Sequence, residues 1–129
     1  MEYKVTVTET SKELTTKERI QMKDTSNAHS LDQLTLEAQQ SGEKIIIDVD
    51  FWCKLDIYNE KSDDKNYTNF IVVDKEGNKY VTGSNSFITS FLNMAAEMKE
   101  AGEDEFKIEV YRKQSKNYKG KDFITCSIL

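Results

Sequence analysis

The chain has 129 residues, with 18 Lys+Arg against 23 Asp+Glu, a net charge of −5 and no proline; that length suits one domain. With five scattered glycines, a collagenous chain, a Pro-rich linker and a Gly/Ser tether are excluded. No apolar run approaches the roughly 20 residues that cross a bilayer, and Met1-Glu2-Tyr3-Lys4 does not start a signal peptide, so a cytoplasmic protein without membrane contact is expected.

Residues 1–29 read as an N-terminal arm. Tyr3, Val5 and Val7 alternate with Lys4, Thr6 and Thr8, which predicts a short strand. Ile20 and Met22 between charged neighbours predict a second one. Ser30 with Gln33 matches a capping box, and Leu31, Leu34 and Ala38 recur at helical spacing up to Gly42, which gives a short helix over 31–40. From Ile45 the alternation is strong. Ile45, Ile47, Val49, Phe51, Cys53, Leu55 and Ile57 share one parity, and Lys44, Asp48, Asp50, Lys54 and Asp56 share the other, the signature of a long half-buried strand. Trp52 and Tyr58 have the polar parity, which puts two large rings outside the core.

Residues 59–66 form a polar loop. Residues 67–74 and 79–82 then read as a hairpin turning at Lys75-Glu76-Gly77-Asn78. After Ser84-Asn85-Ser86, three possible helix caps, Phe87, Ile88, Phe91, Leu92, Ala95 and Met98 step by three and four until Gly102, the clearest amphipathic helix in the chain. Two alternating strands finish the sequence, one with Phe106, Ile108 and Val110 and one with Ile124, Cys126 and Ile128. A basic loop carrying Tyr118 joins them.

From residue 44 the order is strand, strand, strand, helix, strand, strand. This order predicts a mainly β domain over 30–129, a five-stranded OB-fold Greek-key barrel with its helix between strands three and four. The rival is an open α+β sheet with the helix on one side. Tyr80-Val81-Thr82-Gly83-Ser84-Asn85-Ser86-Phe87, the helix that follows, and Tyr118-Lys119-Gly120-Lys121-Asp122-Phe123 resemble the small single-stranded-DNA-binding proteins of Gram-positive phages and conjugative plasmids. That resemblance implies an OB-fold, a nucleic-acid groove across the barrel, no chemical step, and a place in the replication or transfer of a mobile element. The flexible acidic tail of the housekeeping bacterial single-strand binders has no counterpart in Cys126-Ser127-Ile128-Leu129.

Charge is distributed unevenly. Residues 107–121 hold Lys107, Arg112, Lys113, Lys116, Lys119 and Lys121 against Glu109 alone, a net +5, so the remainder carries −10. Single strands are bound by cations along a groove and by ring faces on which bases stack. Trp52, Tyr58, Tyr111 and Tyr118 are the stacking candidates, with Tyr67 and Tyr80 on the central hairpin. Arg112, Lys113, Lys116, Lys119 and Lys121 are the candidate phosphate contacts. Against these stand plainer readings: outward rings often pack across strands, and lysines often only solubilise a sheet edge. Sequence preference should be weak, because stacking tolerates every base. The expected partner is single-stranded DNA, with RNA an open alternative, and Tyr3, Val5 and Val7 are candidates for self-association into an oligomer by strand addition.

An enzyme is not expected. Asp48 and Asp50 share a strand face and form the best acidic pair for a magnesium-dependent nuclease, yet no glycine-rich phosphate loop, nucleophile elbow or Cys/His pair accompanies them. His29 is the single histidine, and Cys53 and Cys126 lack metal-ligand spacing, so no cofactor or metal site is expected and the thiols read as core atoms. A protein-interaction adaptor on the same fold is the alternative to nucleic-acid binding.

Overall fold

The structure, a computed structural model, describes residues 2–115 and 121–129. It is mainly β. In chain order the elements are β1 (Tyr3–Thr10), α1 (Thr16–Lys23), β2 (His29–Ser30), α2 (Leu31–Ser41), β3 (Ile45–Asn59), β4 (Asn66–Asp74), β5 (Lys79–Thr82), α3 (Asn85–Glu100), β6 (Phe106–Gln114) and β7 (Asp122–Ile128). Two compact units divide them. One comprises Met1–His29 with Asp50–Gly83, the other Ser30–Val49 with Ser84–Leu129. The expected arm therefore belongs to the same unit as the central hairpin, and β3 contributes to both.

In the first unit, β1 pairs antiparallel with β3, from Tyr3 opposite Asn59 to Val7 opposite Leu55, and a register shift then brings Glu9 opposite Lys54. β4 neighbours β3 and pairs with β5. Alternation dictates the core. Phe51, Cys53, Leu55 and Ile57 project to one side of β3 and cluster with Ile71 and Val73 of β4 and with Leu14 and Met22; Val5, Val7, Tyr67 and Val81 pack against them. Burying each large apolar side chain is worth about 1.5–3 kcal/mol, and β3 (Phe51, Cys53, Leu55, Ile57) and β4 (Phe70, Ile71, Val72, Val73) bury equal numbers of apolar side chains in this unit.

The strand expected at Ile20 and Met22 is instead the helix α1. Its start is a full capping box: Thr15 Oγ1 accepts from the Glu18 amide at 3.1 Å, and Glu18 Oε1 accepts from the Thr15 amide at 3.0 Å, a cap worth about 1 kcal/mol. At the other end Lys79 Nζ donates to the carbonyls of Gln21 (2.8 Å), which also accepts from the Asp24 amide, and Asp24 (2.7 Å), placing a cation at the C-terminus of the helix. Met22 is 5% exposed and Ile20 is 64% exposed, so one apolar residue docks the helix while the other remains in water.

The β4–β5 turn is organised by a single carboxylate. Asp74 Oδ1 accepts from the amides of Glu76 (2.9 Å) and Asn78 (2.8 Å), and Oδ2 accepts from the Asn78 side chain (3.0 Å) and the Tyr80 hydroxyl (3.2 Å). Burial pushes the Asp74 carboxyl up, and the hydrogen bonds from Asn78, Glu76 and Tyr80 more than offset this, leaving it below its ordinary value of 3.8. Gly77 at φ +89 completes the turn in a conformation that disfavours other residues.

In the second unit, Ile45 to Val49 of β3 pair with Val110 to Phe106 of β6, which in turn pairs with β7. Leu31, Ile47, Phe87, Phe91 and Ile108 are fully buried. The Phe91 ring lies 5.8 Å from Phe87 and 6.0 Å from Phe106, spacings at which aromatic pairs add to simple burial. Ser84 caps α3, and Ser86 and Ser90 tie that helix to β7, through Ile124 O (3.0 Å) and Thr125 Oγ1 (3.1 Å). The box expected at the start of α2 is half formed. Ser30 Oγ accepts from the Gln33 amide at 3.3 Å, while the Gln33 side chain turns to Glu37; Gly42, left-handed at φ +76, ends the helix as expected.

Candidate functional site

Within the first unit, the polar parity of β3 forms one face with its neighbours. Trp52, Lys54, Asp56 and Tyr58 project opposite to the core. From β1, Lys4 stands across from Tyr58 and Thr6 across from Asp56. From β4, Thr68 Oγ1 donates to Asp56 Oδ1 at 3.4 Å. A cleft of about 330 Å³ opens here, lined by Lys4, Thr6, Asp56, Ile57, Tyr58, Asn66, Tyr67 and Thr68. Tyr58 is half-buried while Lys4, Asp56 and Asn66 are exposed, so the cleft has a partly open ring beside a cation, a carboxylate and an amide.

The other expected rings of this unit have protein partners. Trp52 stacks on the fully buried Phe70, centroids 5.4 Å apart and planes 24° from parallel, and its backbone bonds Ser11 in both directions. One ring face is thus already occupied. Tyr67 lines the cleft but packs against the core. Tyr80 donates its hydroxyl to Asp74 and lies 5.6 Å from the His29 ring; burial and then the Asp74 charge raise its pKa. Val5 and Val7, expected to meet a second copy, pack inside their own unit, and only Tyr3 of that trio projects into solvent, at 63% exposure. One edge of β1 is thus paired with β3 of the same chain.

In the second unit, Tyr111 is half-buried, with its hydroxyl 2.6 Å from Ser127 Oγ. Arg112 is committed to its own fold. Nε donates to Thr35 Oγ1 (2.9 Å), one terminal nitrogen to Asp122 Oδ1 (3.0 Å) and the other to the Asp32 carbonyl (3.1 Å). Its side chain is 14% exposed. A hydrogen bond from Gln39, then the one from Arg112, lowers the pKa of Asp122. The basic run around Arg112 predicts a phosphate contact; the fold uses its fork to clamp α2 against β6 and β7. Lys113 and Lys121 are exposed. The Ser115 amide donates to Lys121 O at 2.9 Å, which closes the base of the hairpin. Lys116, Tyr118 and Lys119 lie outside the described residues.

Cys53 and Cys126 are free and buried, and burial pushes both thiols up to about 11, far from the range of a reactive thiolate. Asp48 faces Lys107 across the β3–β6 ladder. Among the described residues, no group of three or more His, Cys, Asp and Glu is placed to hold a metal ion, and no helix is long and apolar enough to cross a membrane. The chain matches no family model, no curated protein and no solved structure.

The cleft between β1, β3 and β4 escaped the sequence reading, because Lys4, Thr6, Asn66 and Thr68 come from segments read as an arm and as a hairpin flank. Its traces in the sequence are the parity of Tyr58 and Asp56 and the candidate ring of Tyr67.

Proposed function

We propose that this protein binds single-stranded DNA without catalysing a reaction, and that it serves the replication or transfer of a phage or plasmid. In this reading it stacks bases on ring faces and meets phosphates with lysines, with weak sequence preference overall. The cleft beside Tyr58 carries the proposal: a partly open aromatic ring with an ammonium directly across the ladder is the pairing of stacking platform and phosphate partner that single strands require. The connectivity supports an OB-fold assignment. β3, β4 and β5 are consecutive neighbours, and after α3 the chain returns as β6 beside β3, the Greek-key connection on which OB barrels are built. Exposed Lys113 and Lys121 at the β6–β7 hairpin supply further cations.

Fluorescence anisotropy with labelled oligonucleotides of about 16 nucleotides, at about 50 and about 200 mM salt, tests the proposal. The expected result is binding that weakens by roughly 0.7 logarithmic units per phosphate contact for each tenfold rise in salt. Salt-independent or absent binding overturns it, and magnesium-dependent shortening of the oligonucleotide would replace it with a nuclease.

A second reading, a protein-interaction adaptor, draws on β1. Among the described strands β1 pairs only with β3, so its other edge is available for strand addition, either by a partner or by a second copy. Sedimentation of the intact chain with and without oligonucleotide separates these cases: concentration-dependent association without DNA favours the edge, and association only with DNA favours copies aligned along a strand.

A further inference from the structure

Sequence-tolerant stacking leaves part of the Tyr58 cleft unexplained, namely the carboxylate beside the ring. Asp56 lies two residues from Tyr58 on the same side of β3, about 7 Å along the strand. Thr6 and Lys4 stand directly across from Asp56 and Tyr58. An ionised carboxylate only accepts hydrogen bonds. Among the described residues its one protein donor is Thr68 Oγ1, at 3.4 Å, the weak end of hydrogen-bond geometry. At about 330 Å³ the cleft lies at the lower end of small-ligand sites, suited to a single nucleotide. A base laid on Tyr58 would point its edge along the strand toward Asp56 while the attached phosphate reaches Lys4.

Building on the single-strand reading above, we propose that this cleft is a base-selective subsite in which Asp56 favours a base with an exocyclic amine over thymine. The discrimination follows from the donor and acceptor patterns. Cytosine offers N4–H₂, a donor that a carboxylate accepts; thymine places the O4 acceptor in the same position and meets Asp56 with lone pair against lone pair. The rest of the bound strand stacks without preference, so selectivity is confined to one position per protomer.

Oligo-dC, oligo-dT and oligo-dU of equal length are titrated against the wild-type chain and against Asp56→Asn, with far-UV circular dichroism to verify the variant's fold. The wild-type chain should bind oligo-dC about tenfold more tightly than oligo-dT or oligo-dU, and Asp56→Asn, whose amide both donates and accepts, should bring the three within about twofold of one another. Equal wild-type affinities for oligo-dC and oligo-dT overturn the inference and leave single-strand binding intact. Wild-type oligo-dU binding as tight as oligo-dC also overturns it, because the thymine methyl would then set the preference. A folded Asp56→Asn that keeps the full ratio does the same. If no oligonucleotide binds, the underlying reading fails instead. The wild-type comparison stands even where the variant does not fold.

Discussion

Arg112 tests most sharply whether the basic hairpin serves the fold or the ligand. Replacing it with alanine removes hydrogen bonds to Thr35 Oγ1 and the Asp32 carbonyl from a side chain only 14% exposed. Thr35 is 1% exposed, but its hydroxyl still donates to Leu31 O at 2.7 Å, so the substitution does not orphan it. The two contacts together are therefore worth about 2–3 kcal/mol, with each charge-assisted bond at the low end of its range. The exposed Asp122 partner adds little to this in water. Urea unfolding monitored by circular dichroism should show that loss, with a fall of roughly 6–15 °C in melting temperature. Arg112→Lys discriminates between the roles. Lysine keeps the charge for a phosphate but cannot span three acceptors on two elements, so it should destabilise nearly as much as alanine. If both variants unfold within about 0.5 kcal/mol of wild type, a surface-level effect, while alanine alone weakens oligonucleotide binding, the strut assignment is wrong and Arg112 contacts the strand.

Three further outcomes are expected. Tyr58→Ala should weaken oligonucleotide binding by about 1–3 kcal/mol with an unchanged salt slope, whereas Lys4→Ala should lower that slope by about 0.7, both read by anisotropy across a salt series. Because the folded Asp74 carboxyl titrates below its ordinary 3.8, its stabilising bonds are fully present above that value and are lost as pH falls through the folded pKa; wild-type stability should drop below about pH 4, and Asp74→Asn should be less stable at neutral pH with a flatter acid limb. The Cys53 and Cys126 thiols, pushed up to about 11, should resist an aromatic disulfide reagent at about pH 8 in the native chain and react promptly in urea; rapid native reaction would contradict their burial.

Local periodicity made β3 and α3 legible, because each repeats one spacing long enough to admit a single reading. Seven apolar residues at period two cannot line one side of a helix, and all but Ile45 of that set are buried. Ile20 and Met22 are only two residues; a spacing of two shares a face on a strand but falls on nearly opposite sides of a helix, which is why Met22 is buried and Ile20 exposed, and the deciding signal is the Thr15/Glu18 box just upstream. Partners distant in sequence were illegible for a different reason. Alternation in β1 announces that Val5 and Val7 are covered without naming what covers them, and the cluster they pack against draws on β3 and β4, some fifty or more residues onward, as well as on Leu14 and Met22 close by. Counting charge along the 107–121 stretch has the same weakness, since the groups that engage Arg112 include Thr35 and Asp32 on α2, nearly eighty positions away. A cation's availability to a ligand depends on its neighbours in space, and one whose fork is filled by the fold contributes far less than its formal charge. Applied to the candidate site, that criterion moves weight from the Tyr111–Arg112 pair to Tyr58 and Lys4, where the ring is partly open and the ammonium projects into solvent. It also gives the acidic body a role in the binding energetics. With the whole chain at −5, long-range repulsion weakens attachment of any polyanion, so under the proposed single-strand binding stacking would supply a larger share of the affinity than in a basic protein of equal size, and the loss on Tyr58→Ala should exceed that on Lys4→Ala at physiological salt.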